Sequence, residues 1–314
     1  MLSNTIVQGL DAARHFARLK VSHLILACRD LHKANEARTD VLSSCAGEET
    51  KISCWQVDMA SYASVQSFAD RCNSLDRIDA ILINAGIQMS TFEMAEVDET
   101  QVTVNVVSAL LLAVLTVPSL KVNGAKHGIK PTIAITGTIT HAFAVTSQLT
   151  KPANGEILRD LSGEQAKKKY GLMDRYNITK LLVLLGAREL AAHITATDNA
   201  DNSPSVVVNF VAPGWCKTRI GFANGSRPAK VGLKLIGRTS EEGSRTLVHA
   251  VAGDIDTHGQ YLSECQVKAP SAWVTSEEGK QVQKRVWAEL VDKFEAIKPG
   301  CTAWLEQRSS HQWS

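Results

Sequence analysis

The sequence predicts an α/β fold: a doubly wound, mostly parallel sheet in a single domain with a C-terminal helical appendage. Two observations carry this expectation. Short, β-rich apolar runs alternate with segments of helical period, and the runs are apolar at successive positions rather than at every second one. A strand apolar on both faces needs cover on both sides, which crossover helices between parallel neighbours supply. In this class ligands sit at the carboxyl ends of the strands.

The elements follow in order. A helix is expected over LDAARHFARLK (10–20), then a strand at LILAC (24–28) and a helix over 31–43 with Asp30 placed to cap it. Further strands are read at 52–57, AILI (80–83), TIAI (132–135) and VVVNF (206–210). Helices are expected over 62–75, 99–117, 174–193, 240–251 and 277–297, the last ended by Pro299-Gly300. The stretch 221–237 is rich in Gly, Lys and Arg and reads as a surface loop or lid. Residues 1–265 are assigned to the main domain and 266–314 to a helical extension and tail, with Trp273, Trp287 and Trp304 as its packing residues.

Composition narrows the function classes. The 314 residues carry 34 Lys+Arg against 32 Asp+Glu, and no basic block is longer than Lys167-Lys168-Lys169. Nothing in that balance draws the chain to nucleic acid or an anionic membrane. Seven cysteines without a C-x-x-C pair argue against a disulfide framework or a zinc site, so no metal is expected and a reducing, cytoplasmic setting is. The start lacks a signal-peptide pattern. The most apolar stretch, 102–120, contains Asn105, Ser108 and Pro118, and reads as a buried helix rather than a membrane span.

The chemistry gathers at RYNITKLLVLLGAREL (175–190). Tyr176 and Lys180 are four apart on a helix, so the ammonium lies beside the phenol. A neighbouring cation favours phenolate and makes the tyrosine an acid or base near neutrality. Upstream stand Asn84-Ala85-Gly86 after a strand, Asn105 in an apolar helix, and TGTITH (136–141) after another strand. Downstream, NFVAPGWCKT (209–218) also follows a strand. With these five ordered motifs the chain resembles the short-chain dehydrogenase/reductase family, in particular fungal members with long C-termini, over about residues 9–300. The fold implied is Rossmann-like.

The resemblance implies a site. Tyr176 exchanges a proton with the substrate oxygen while hydride moves to or from a nicotinamide. Lys180 holds the ribose hydroxyls and lowers the phenol pKa, and Asn105 fixes a water behind it. Thr138 stands where the family usually keeps a serine, with Thr136 and Thr140 as neighbouring alternatives. Asn84 supports the adenosine side, Asp58 matches the aspartate that meets adenine, Gly214 approaches the carboxamide, and Thr218 reaches the amide or pyrophosphate. Arg29 stands where NADP-preferring relatives keep a basic residue, and a guanidinium grips a 2′-phosphate bidentately. His141 reads as a loop residue near the pocket. The resemblance implies an NADP-dependent oxidoreductase interconverting a carbonyl and a secondary alcohol on a small organic molecule, among fungal relatives often a polyketide or terpenoid intermediate. A homo-oligomer is usual in the family.

The resemblance breaks at the start. Gly9 matches the last glycine of the family's T-G-x-x-x-G-x-G turn, yet Val7 and Ser3 fall where the other two belong. Either 4–7 is a very short first strand with a clipped turn, or the strand that belongs between LILAC and AILI is absent. Three explanations stay open: an incomplete gene model, an eroded and catalytically impaired protein without cofactor binding, or an enzyme with a shortened turn. A methyltransferase on a similar sheet would leave Tyr176 and Lys180 unexplained.

Overall fold

The computed structural model describes residues 5–44, 50–163, 166, 171–198, 203–216 and 237–305, with side chains except at 5–8, 172 and 173. In chain order the main elements are α1 (Thr5–Arg18), β1 (His23–Cys28), α2 (Leu31–Ser43), β2 (Lys51–Gln56), α3 (Tyr62–Asn73) and β3 (Ala80–Ile83). A small hairpin, β4 (Met94–Ala95) and β5 (Asp98–Glu99), leads into one long helical run. That run comprises α4 (Thr100–Val102), a π-helical turn (Thr103–Val107) and α5 (Ser108–His127). Then come β6 (Thr132–Thr136), a 3₁₀ turn (Ile139–Phe143), α6 (Ser147–Thr150), α7 (Ile157–Ser162), α8 (Leu172–Thr197), β7 (Val207–Ala212) and α9 (Ser240–Val251). The last are β8 (Tyr261–Ser263), β9 (Gln266–Lys268), α10 (Ala272–Thr275) and α11 (Glu277–Ile297).

The strands form a mostly parallel arrangement, but in two sheets. β1 pairs with β2 in parallel, His23 opposite Lys51. The larger sheet has the order β3-β6-β7-β8-β9, parallel except for the last strand. Among the described residues no strand stands between β1 and β3. The exposures agree: β6 and β7 are buried at every position, whereas β1 has no buried position and β3 one. Residues 5–7 do not form the short strand considered above. They continue α1 toward its N-terminus, because extending a formed helix fixes one residue for each bond added, whereas an isolated strand gains none.

One helix covers the junction. Ala12 of α1 packs with Ala134, Val211, Leu247, Ala250 and Leu262, on the larger sheet and α9. Its neighbours Ala13 and Ala17 pack with Val41, Ile52, Leu24 and Leu26, on the β1–β2 pair and α2. Small side chains on both sides let one backbone approach two sheets at once. Asp30 caps α2 as expected, its Oδ1 accepting from the His32 and Lys33 N–H groups at 2.9 and 3.4 Å.

The opposite face holds the main core, where α3, α5 and α8 bury residues such as Val65, Leu110, Val114, Leu181 and Leu184 against Ile133, Ile135 and Val208. The helical run Thr100–His127 is long and apolar enough to cross a membrane by composition, yet 89% of its most apolar window is buried inside this fold. It therefore serves as a core helix, as the polar interruptions suggested.

The C-terminal helix is bound into that core. Val282, Val286, Trp287, Leu290 and Phe294 of α11 are buried, and Trp287 stacks on His193 of α8 at 5.4 Å. Trp273 and Trp304 pack against the same cluster, as the sequence suggested. The Glu289 carboxylate accepts from the Ile157 and Leu158 N–H groups and so caps α7. Lys293 Nζ donates to Asp98 Oδ2 at 2.5 Å, where Tyr62 and Ser162 hydroxyls also converge. Asp98 is only 2% exposed. Lys293→Ala strands that carboxylate, which costs about 3 kcal/mol after allowing for the two hydroxyls that remain. Urea unfolding is the check: a loss under about 1 kcal/mol would show a pair already solvated.

Candidate active site at the strand ends

The carboxyl ends of β3, β6 and β7 bring three loops together: Asn84-Ala85-Gly86, Thr136-Gly137-Thr138 and Pro213-Gly214. Beside them pass α8 and the π-helical turn. A single widened turn inside an α-helical run breaks the regular bonding and re-aims one side chain. Here that side chain is Asn105, 1% exposed. Its Oδ1 accepts from the Ile87 N–H at 2.7 Å, and its Nδ2 donates to Ile87 O at 2.8 Å and Thr179 Oγ1 at 3.0 Å. Asn105 thus ties the loop after β3 to the helix carrying Tyr176 and Lys180.

Lys180 is buried and donates from Nζ to Thr136 O at 3.1 Å. A Cβ added at Gly86 would lie 2.9 Å from Nζ, so only glycine leaves the ammonium its place. Nζ lies 5.8 Å from the Tyr176 ring centroid, which puts the two side chains on one face as the spacing required. Their titration differs from the expectation. Burial pulls the Lys180 ammonium down to about 8 and pushes the Tyr176 phenol up to about 12. The ammonium's hydrogen bond goes to the Thr136 carbonyl, and desolvation of the phenol wins over attraction to a cation at this distance. Tyr176 therefore carries its proton throughout the neutral range.

Thr138 caps the 3₁₀ turn, its Oγ1 accepting from the Thr140 N–H at 3.2 Å. Of the three neighbouring threonines, Thr136 is buried, and the Thr136 and Thr140 hydroxyls are buried without a partner among the described residues. Thr138 is half-buried, at the mouth of the strand end. Gly137, between them, lies so close to Phe210 that an added Cβ would fall 1.7 Å from its ring. Gly214 has φ +87, a left-handed backbone that suits glycine, and Arg238 lies against it. Ile139, Phe143 and Trp215, each close in sequence to these loops, are exposed apolar residues.

The adenosine-side candidates divide between the two sheets. Arg29, exposed, follows β1, and its carbonyl accepts from Gln56 Nε2 at 3.1 Å. Asp58 follows β2; its Oδ1 accepts from the Ala60 N–H, and its own N–H donates to Ser64 Oγ, both at 2.9 Å. Asn84 belongs to the larger sheet, and its Nδ2 would lie 2.9 Å from a Cβ placed on Gly9. Gly9 itself lies within α1, not in a turn. Thr218 and residues 221–236 of the expected lid lie outside the described residues.

The structure therefore joins Tyr176, Lys180, Asn105 and the Thr138 turn with the Asn84 and Gly214 loops. Arg29 and Asp58 belong to the β1–β2 pair. The residues fit a nicotinamide group at one end: the space beside Gly86 is taken by the Lys180 ammonium, and among the described residues that ammonium bonds only Thr136 O, which leaves donors for a ligand. At the pyrophosphate end the described residues form no glycine turn. Sequence reasoning missed the Thr136 carbonyl and Thr179 as partners; it placed His141 in a loop near the pocket, and the structure has it beside the site but buried, in the 3₁₀ turn that Thr138 caps.

Comparison with known proteins places these features. The profile of the family described as "short chain dehydrogenase" matches residues 8–129. The short chain dehydrogenase/reductase dmxR8 of Cryptosporiopsis sp. (strain 8999) is 41% identical over 300 residues, covering 94% of this chain and 89% of the relative. The short-chain dehydrogenase anuD of Penicillium roqueforti (strain FM164) is 35% identical over 297 residues, covering 93% and 76%. Among solved structures, a protein from Mycobacterium Paratuberculosis superposes with a TM-score of 0.66 at 17% identity, covering 93% of this chain and 91% of that one, a likeness of fold.

Proposed function

Because the chain belongs to the short-chain dehydrogenase/reductase family, we propose that it uses NADP(H) to interconvert a carbonyl and a secondary alcohol on a small apolar molecule of secondary metabolism. The observation that carries this reading is the convergence of Tyr176, Lys180, Asn105 and the Thr138 turn at the ends of β3, β6 and β7. Nicotinamide, when bound, supplies or accepts hydride. The protein's own part is proton control and positioning. Tyr176, protonated, donates its proton to the carbonyl oxygen as it gains charge. The Thr138 hydroxyl hydrogen-bonds the same oxygen, and Lys180, with donors left beyond its bond to Thr136 O, would hold the ribose hydroxyls. Arg29 favours a 2′-phosphate. Exposed Ile139, Phe143 and Trp215 offer an apolar rim that suits a hydrophobic ketone.

The experiment is turnover of NADPH with a panel of aryl and alkyl ketones, repeated with NADH. Faster turnover with NADPH is expected; equal rates would sink the assignment to Arg29. The split sheet favours a second reading, a binding protein that keeps the fold but not the cofactor. Micromolar affinity for NADPH in an equilibrium titration would exclude it.

The pH profile follows from the burial of Lys180. Reduction needs the phenol protonated and the ammonium charged. The ammonium is lost as pH rises through about 8, so kcat/KM for reduction is expected to fall about tenfold per unit above that pH. The phenol stays protonated beyond it. Lys180→Arg, which keeps its charge, moves the falling limb upward. A profile flat to about pH 10 would remove Lys180 from the titration.

A further inference from the structure

Behind the Thr138 turn lies a histidine the chemistry above does not use. His141 is 2% exposed, with its ring edge-on to Tyr261 at 5.1 Å and to Phe210 at 6.4 Å. Its Nδ1 is 2.8 Å from Thr138 O, and its Nε2 is 3.2 Å from the backbone N of Ser271. A carbonyl only accepts and an N–H only donates, so the two partners together admit a single form, the neutral imidazole with its proton on Nδ1. Burial supports that form, holding the ring below the usual histidine range.

The turn is otherwise fixed on two sides. Gly137 N–H donates to Val211 O at 2.7 Å, and Thr140 N–H donates to Thr138 Oγ1. The carbonyl of Thr138 also opens the 3₁₀ turn, and the imidazole gives that same carbonyl a second donor from inside the fold, opposing rotation of the peptide that would swing the Thr138 hydroxyl. We propose that His141 is a positioning residue for Thr138, locking that peptide from inside the fold and tying the turn to the C-terminal segment through Ser271. This rests on the reading that Thr138 meets the substrate oxygen. It makes the segment leading into α10 and α11 part of the active-site architecture, 130 residues from the turn it supports.

Two substitutions separate the two hydrogen bonds. An asparagine amide can stand in for Nδ1 and still donate to Thr138 O, whereas a glutamine carbonyl reaches the Nε2 position and keeps only the Ser271 bond. The expected result is a kcat about 10- to 100-fold lower in His141→Gln and His141→Ala, with the NADPH Kd unchanged within about twofold. His141→Asn is expected to recover to within about threefold of wild type. Wild-type turnover by His141→Ala, or His141→Asn as slow as His141→Ala at equal Tm, overturns the proposal.

If the variants fail to fold, nitrogen NMR of the unaltered protein at neutral pH decides: a proton on Nδ1 of His141 upholds the arrangement, and one on Nε2 overturns it. A folded chain without turnover would refute the carbonyl–alcohol reading alone. The inference is then settled by hydrogen exchange of the Thr140 amide. Faster exchange in His141→Gln and His141→Ala, but not His141→Asn, supports it, and uniform exchange overturns it.

Discussion

Replacing Tyr176 with phenylalanine is expected to lower kcat for carbonyl reduction by about 10²- to 10⁴-fold, the usual worth of a positioned general acid. The substitution removes one oxygen and keeps the ring. No hydrogen-bond partner of that phenol oxygen stands among the described residues, so the fold loses little. The buried ammonium of Lys180 bonds to Thr136 O rather than to the phenol and remains where it is. Cofactor affinity should therefore change less than about twofold while turnover collapses. Steady-state kinetics with a ketone accepted by wild type, beside NADPH binding by each protein, makes the comparison. Turnover by the phenylalanine variant equal to wild type would mean that protonation comes from elsewhere, and the mechanism would have to be abandoned.

Gly137→Ala is expected to cost about 3 kcal/mol or more, a fall in Tm of roughly 4–5 °C or more. The added methyl would fall 1.7 Å from the Phe210 ring carbon Cζ and 2.2 and 2.4 Å from its Cε atoms. That ring is 1% exposed and cannot step aside, because the His141 and Tyr261 rings pack against it. Relief must come from the Thr136–Thr138 backbone, which carries the Lys180 contact, so activity should fall with stability. Phe210→Leu in the same chain makes room for the methyl. A double-mutant cycle should then show favourable coupling of at least about 1 kcal/mol. Strict additivity would mean that the turn yields instead of the ring.

Much of this was legible in the sequence, for reasons that are local. The strand at 80–83 is bounded as Ala80–Ile83, because an apolar run flanked by polar turns has few alternatives. Helices 31–43, 240–251 and 277–297 were placed residue for residue, each preceded by a Ser, Thr or Asp that caps it. The Tyr176–Lys180 face follows from helical period alone. The few residues before Gly9 left two alternatives, a short strand at 4–7 or none; the described residues have none there, and the helical state of residues 5–7 was not anticipated. Contacts between distant positions were out of reach. Nothing near His141 in sequence points to Ser271, and nothing near Tyr176 shows that burial, rather than its neighbouring ammonium, sets the phenol's proton affinity.

The alanines of α1 carry a thermodynamic consequence. A ribbon of two strands is marginal by itself, so β1 and β2 owe their order to what packs on them. On one face lies α1, which also reaches the larger sheet. On the other lies the main core, where Trp55 meets Phe68 of α3 and Ile25 packs against the same cluster. Parting the ribbon from the larger sheet therefore breaks contacts on both faces, those of α1 and those of the Trp55 cluster. A dinucleotide gripping Arg29 on one side and Lys180 on the other would bind only the closed form. Its affinity and the docking of that ribbon are then a single linked equilibrium, each drawing on the other's free energy.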